Sequence, residues 1–206
     1  MKGKLLYVGD SKSLHNYLII RGAHEDDAKY LLEVYNPEIT KNFWFFKNKA
    51  FTLENEKKYL KRMRRSSVDK LWLILLRRKL GSDKVIGTIG LHEIDNRLKT
   101  ARLGIIIWNK IFQHRGYGIK AITAILTHAF TELNIEKIYI TVLAKNYGNN
   151  KFYQRIGFVK EGILRKEYLL GKKRLNMIRM SLLKTDWVKQ SYEVPLRKIE
   201  KGEGND

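Results

Sequence analysis

The run Gln113-His114-Arg115-Gly116-Tyr117-Gly118 is the stretch whose residue types and spacing could do chemistry. It lies between a strand-like run and a segment of helical periodicity, so its two glycines fall where a strand turns into a helix. Glycines let backbone amides turn inward around an anion, and the positive end of the following helix adds to the same spot. A diphosphate fits such a nest, although many tight turns also carry Gly-x-Gly. The nucleoside triphosphate pattern Gly-x-x-x-x-Gly-Lys-Ser/Thr is absent from this position. The dinucleotide pattern wants three glycines and an acid closing the next strand, whereas that strand ends in Leu143-Ala144-Lys145-Asn146.

The elements that must position this loop are readable from periodicity. Gly22, His24, Glu25, Asp26 and Asp27 suit a helix start, followed at helical spacing by Ala28, Leu31, Leu32 and Tyr35, with Pro37 as the stop. A second helix is predicted from about Leu53 to Arg64, with Tyr59, Leu60 and Met63 on one side. The aromatic cluster Phe43, Trp44, Phe45 and Phe46 before it either lines a pocket or fills a core. Leu71 to Leu76, Val85 to Glu93 and Ala101 to Trp108 read as strands of an antiparallel meander, separated by Gly81-Ser82-Asp83 and Asp95-Asn96-Arg97. After the Gly-rich loop, Ile119, Ile122, Leu126, Phe130 and Leu133 keep a helical period, and Ile138 to Leu143 is a β-branched run. A short helix from Asn149 to Ile156 should stop at Gly157, and Leu164 to Leu170 with Leu175 to Leu182 forms a closing hairpin about Gly171. The expectation is one α/β (α+β) domain over residues 1–206, with its core at about 18–187 and a mobile tail at 195–206.

Composition narrows the partners. There are 41 Lys and Arg against 21 Asp and Glu, a formal charge of +20 that attracts polyanions at low salt. That charge reads either as a basic surface making weak contact with nucleic acid or the ribosome, or as a Lys-rich composition with no such role. No apolar run reaches membrane-spanning length, so no membrane partner is expected. Cysteine is absent, which excludes disulfides, thiolate metal sites and a cysteine nucleophile. The five histidines are scattered without metal-ligand spacing, so no metal is expected. Met1 to Asp10 lacks the features of a secretory signal, and the expected location is cytoplasmic.

About thirty residues downstream of the loop stands Asn146-Tyr147-Gly148-Asn149-Asn150-Lys151-Phe152-Tyr153-Gln154-Arg155-Ile156-Gly157-Phe158. The two motifs together resemble the GNAT superfamily of N-acetyltransferases, which pair a Gln/Arg-x-x-Gly-x-Gly/Ala loop with an Asn-led helix ending in Tyr-x-x-x-Gly-Phe. Gly162 to Tyr168 and Asn176 to Met180 look like the branch holding ribosomal-protein alanine and spermidine acetyltransferases. The resemblance implies the GNAT fold, a mixed central sheet splayed between two strands and flanked by helices. It also implies acetyl-coenzyme A as cosubstrate and transfer of the acetyl group to a primary amine.

By this resemblance, Gln113, His114, Arg115, Gly116, Tyr117 and Gly118 hold the cofactor's pyrophosphate. The pantetheine arm enters the splay and pairs with backbone near Ile106, Ile107 and Trp108. Asn146 and Asn149 contact that arm or organise the splayed strand, and Asn149 also suits a helix N-cap. Tyr153 matches the tyrosine that protonates the departing thiolate, unless it is a core tyrosine with a satisfied hydroxyl. An arriving ammonium must lose its proton, and Glu93 is the candidate base, with an exposed structural glutamate as the alternative. His92 should face the other way if the strand is regular.

Spermidine acetyltransferases resembling this chain carry acids where Phe46, Lys47, Gly90 and Arg102 stand here. A basic protein lacking them should repel a polyamine, so the expected acceptor is a protein N-terminus, a peptide or a small amine. A polyamine acetyltransferase, or a GNAT-fold protein that binds nucleic acid or the ribosome without catalysis, are the alternatives. The sequence leaves the oligomeric state open; a homodimer through the last strands is compatible with it.

Overall fold

A computed structural model of the chain describes residues 5–8, 16–34, 52–78, 83–189 and 196–197. Tyr35, Pro37, the aromatic run Phe43–Phe46, Lys47 and Gly81–Ser82 lie outside the described residues, as does most of the expected tail. The described elements are strands β1 (Leu5–Val8) and β2 (Asn16–Gly22), helices α1 (Ala28–Val34) and α2 (Leu53–Arg65), and strands β3 (Lys70–Arg78), β4 (Lys84–Asp95) and β5 (Thr100–Ile107). Helix α3 (Tyr117–Thr131), strand β6 (Lys137–Leu143), helix α4 (Tyr147–Ile156), strands β7 (Val159–Leu170) and β8 (Lys173–Leu183), helix α5 (Lys184–Lys189) and strand β9 (Leu196–Arg197) follow.

The chain divides into two compact units, Met1–Gly90 with Ile105–Ile125 and Val194–Asp206, and Leu91–Gly104 with Leu126–Glu193. In the first unit the sheet order is β5-β4-β3-β2-β1-β9. Strand β2 runs antiparallel to both β1 and β3. Trp72 to Leu76 are all buried, as befits a strand with both faces covered, and the apolar cluster around them joins Ile19, Ala28, Leu31, Leu60, Leu73, Leu75, Val85 and Trp108. Helix α2 starts on Thr52, whose Oγ1 accepts from the Asn55 amide at 3.2 Å, and carries Glu54 and Glu56 in its first turn against Arg62, Arg64 and Arg65 in its last. That arrangement complements the helix dipole. Ahead of α1, a 3-10 turn at Glu25–Asp27 is held by Asp27, whose two carboxylate oxygens accept from Arg21 at 2.7 and 2.6 Å.

Leu196–Arg197 differ from the expectation of a structureless tail, because they pair antiparallel with Tyr7–Val8. Neither β1 nor β9 is long enough to leave a periodic signature, so sequence pattern alone passes over both.

In the second unit the order is β7-β8-β6-β5-β4. Strand β5 is parallel to β6, while β8 is antiparallel to β6 and β7, so the sheet is mixed. Along β6 the side chains alternate, with Ile138, Ile140 and Val142 buried. Strands β4 and β5 are joined by a tight turn in which Asp95 Oδ1 accepts from the amides of Arg97 and Leu98, both at 2.8 Å. The parallel ladder registers only Thr100, Ala101 and Arg102 with Lys137, Ile138 and Tyr139, and then stops. Beyond that row no β5 residue is registered with β6.

Candidate functional site

In the first unit, the end of β5 leads through buried Trp108 into a 3-10 turn, Lys110–Phe112, capped by Asn109 Oδ1, which accepts from the Ile111 amide at 3.0 Å. Gln113 braces this turn twice. Its amide donates to Lys110 O at 3.1 Å, and its side-chain Nε2 donates to Ile107 O at 2.7 Å. The Gln113 amide and the Ile107 carbonyl are therefore engaged internally.

Beyond the brace the backbone changes character. His114 has φ of 57° and Gly116 has φ of 80°, two left-handed residues just ahead of Tyr117, where α3 begins. Among the described residues, no backbone acceptor takes the amides of His114, Arg115 or Gly116. Nothing lies within 4 Å of a Cβ added at Gly116, so the demand for glycine there comes from φ and not from crowding. Lys110 precedes the loop and Arg115 lies within it, and Lys84 Nζ lies 5.3 Å from the centroid of the Phe112 ring. Unused amides at a helix N-terminus among cations can hold an anion. Behind the loop, a Cβ at Gly87 would lie 2.3 Å from Ile106 O, so β4 and β5 approach there more closely than any side chain permits.

In the second unit, α4 is capped by Asn146, whose Oδ1 accepts from the Asn149 amide at 3.1 Å, and ends at Gly157 with φ of 105°. Asn146 thus acts as the cap that the sequence assigned to Asn149. Neighbouring Asn150, which sequence reasoning missed, donates from Nδ2 to Ala144 O at 3.4 Å and leaves a buried Oδ1 with no partner. Sequence does not carry a buried acceptor without a donor; only the folded backbone creates one.

Tyr153 lies on the buried side of α4, with Phe152 and Phe158 edge-on to its ring at 5.1 and 5.6 Å between centroids. Burial pushes its phenol up to about 12. The group stays protonated throughout the physiological range and can serve as a proton donor there.

Glu93 sits in a different environment. Within β4 its φ of 53° is left-handed, so the regular alternation that set it against His92 does not hold. Arg102 Nε donates to one carboxylate oxygen at 2.8 Å, and the Tyr139 hydroxyl donates to the other. Partial burial pushes its pKa up, but the hydrogen bonds from Tyr139 and Arg102, with the charges of Arg102 and His92, outweigh this and hold it below the usual carboxylate value. The Arg102 partner was legible in principle, since both residues stand at equal distance from the turn; Tyr139 requires knowledge of register.

Among the described residues, no group of three or more His, Asp or Glu could hold a metal, and no helix is long and apolar enough to cross a membrane.

Comparison with known proteins bears on this arrangement. A family model described as Acetyltransferase (GNAT) domain matches residues 17–159. The chain is 25% identical over 178 residues to the spermidine N(1)-acetyltransferase of Vibrio cholerae, covering 86% of this chain and 99% of that one. It is 31% identical over 101 residues to the putative ribosomal N-acetyltransferase YdaF of Bacillus subtilis, covering 49% and 55%. The crystal structure of the Vibrio cholerae spermidine N-acetyltransferase in complex with CoA and spermine superposes with a TM-score of 0.72 at 23% identity, over 83% of this chain and 98% of that one.

Proposed function

The chain belongs to the GNAT acetyltransferase family, whose members transfer an acetyl group from acetyl-coenzyme A to an amine, and we propose how its own residues do so. The amides of His114, Arg115 and Gly116, with the first turn of α3 at Tyr117 and Gly118, bind the diphosphate. The observation that carries this reading is the pair of left-handed residues His114 and Gly116 with unused amides at the head of a helix. Gln113 contributes by bracing the end of β5 through Ile107 O. In the first unit the backbone of Ile106 and Trp108 is the candidate lining of the arm's path; in the second unit the candidates for contact with it are Asn146, Asn149 and the unpaired Oδ1 of Asn150.

The thioester, when bound, supplies an acetyl group already activated for attack. As the amine nitrogen, arriving deprotonated, bonds to the carbonyl carbon and the carbon–sulfur bond breaks, Tyr153 Oη gives its proton to the departing sulfur, and the proton shed by the nitrogen passes through solvent to restore the phenol. A phenol held protonated by burial among Phe152 and Phe158 suits that task. For Glu93 the surroundings weigh against service as the base, since a carboxylate held by Arg102 and Tyr139 has little affinity for a proton.

The acceptor we favour is a protein N-terminus, a peptide or a small amine. Positions Gly90 and Arg102 supply no countercharge for a polycation, and the chain as a whole carries +20. A polyamine is the second reading, favoured by likeness to a spermidine acetyltransferase over nearly its whole length. Thiol release from acetyl-coenzyme A with a panel of N-terminal peptides, small amines and polyamines decides between them. In the same assay Tyr153→Phe should lower kcat by about 10²- to 10⁴-fold while leaving the Kd for coenzyme A nearly unchanged. Full turnover in that variant would remove Tyr153 from the mechanism.

A further inference from the structure

The last row of the parallel ladder between β5 and β6 is Arg102 opposite Tyr139. Both side chains of that row end on the same carboxylate, Arg102 on one oxygen of Glu93 and Tyr139 on the other. From the far side, the Arg179 guanidinium stacks over the Tyr139 ring at 4.1 Å. Arg179 Nε stands 3.6 Å from Glu161 Oε2, and the other oxygen of Glu161 accepts from Lys137 and, at 2.9 Å, from Ser181. A continuous run of charged groups therefore crosses β4, β5, β6, β8 and β7 at the level where β5 and β6 stop pairing. Past it, Ile140 to Leu143 remain registered with Met180 to Met177 of β8, and no β5 residue is registered with them.

A parallel ladder of three rows is a short hold for two strands whose pairing then stops, and parallel pairing is the less stable kind per residue. It can lengthen by further pairing or shorten by fraying unless something fixes its last row. The geometry points to Glu93 as a positioning residue that fixes the last row of the β5/β6 ladder through Tyr139 and Arg102, and so sets where the β6 backbone is released from β5 to face the cofactor's arm. The left-handed backbone at Glu93 fits this role, because such a conformation in a non-glycine residue persists only where its surroundings impose it. The inference rests on the reading of the β6 segment Ile140 to Leu143, unregistered with β5, as one wall of the coenzyme A site, and it replaces the base role for Glu93.

The test is calorimetric titration of the full chain with coenzyme A alone, alongside steady-state kinetics across pH, for the wild type and Glu93→Gln, Glu93→Ala and Tyr139→Phe. Glu93→Ala and Tyr139→Phe should each weaken coenzyme A binding roughly three- to thirtyfold, with a smaller change in kcat at saturation and no change in the pH profile. Combined, they should do little more than either alone. Glu93→Gln keeps an acceptor for the Tyr139 hydroxyl and should recover most of the affinity. If Glu93→Ala does not fold, Tyr139→Phe carries the same test. Unchanged affinity in the two variants would overturn the inference, as would loss of the acidic limb of the pH profile at unchanged affinity, which would return Glu93 to service as a base. Wild-type protein that takes up no coenzyme A would instead overturn the cofactor reading itself, and this inference with it.

Discussion

The loop at Gln113–Gly118 and the cluster around Glu93 are built from opposite materials. The loop works with main chain: two left-handed residues, a helix start and amides without backbone acceptors. The cluster works with side chains that five strands bring to one level of the sheet. The first should tolerate changes of side chain but not an added Cβ where φ or backbone spacing forbids one. The second should behave the other way round, accepting backbone-neutral changes only where hydrogen-bond partners survive.

The harshest way to break that contrast is to crowd the main chain behind the loop. In Gly87→Ala the new Cβ would meet Ile106 O at 2.3 Å, backbone against backbone, so β4 and β5 must part. We expect a loss on the order of 3 kcal/mol in urea unfolding, with coenzyme A binding lost in step. Gly104→Ala is the internal control, because its Cβ would meet only the His92 ring at 3.5 and 3.6 Å, and it should cost less than about 0.5 kcal/mol. Equal midpoints for the two variants would remove close backbone approach as the support of the loop.

A milder lesion separates conformation from space. At Gly116 an added Cβ meets nothing, yet φ is 80°. Gly116→Ala should therefore cost about 1–2 kcal/mol of conformational energy in the loop and weaken coenzyme A binding in proportion. Gly116→Asn, whose side chain tolerates the left-handed region, should fall between alanine and the wild type in the same titration. An alanine variant that binds as tightly as glycine would mean that the loop amides are not what holds the ligand.

The same contrast explains what could be read before the fold was seen. Gly116, the helix period after it, and Asn146 ahead of Tyr153 are local signals, and the structure finds α3 and α4 within a residue or two of where periodicity put them. The cap itself moved from Asn149 to Asn146, since both types suit the position and only the backbone decides. Tyr139 and Arg179 could not be picked out, because their relation to Glu93 depends on which strands are neighbours and in what register. Strand β9 escaped for a related reason: two residues have no period, and only pairing with Tyr7–Val8 defines them.

Acid titration is the gentlest probe of the side-chain cluster. The hydrogen bond from Lys137 holds the Glu161 carboxyl below its usual value, and Ser181 with the charges of Lys137 and Arg179 adds to this against partial burial; Glu93 is lowered likewise. A depressed folded pKa contributes stability that is complete above the unfolded glutamate value of about 4.3 and is lost as pH falls through the folded one. The urea midpoint should therefore decline gently below about pH 5, and less in high salt, because these groups are partly open to solvent. Glu161→Gln should flatten that decline, while Gly116→Ala, in a loop segment without a carboxylate, should lower the whole curve and leave its slope alone. An unaltered slope in Glu161→Gln would show that the cluster's charges are indifferent to folding, and the division between a main-chain loop and a side-chain clamp would then rest on Glu93 alone.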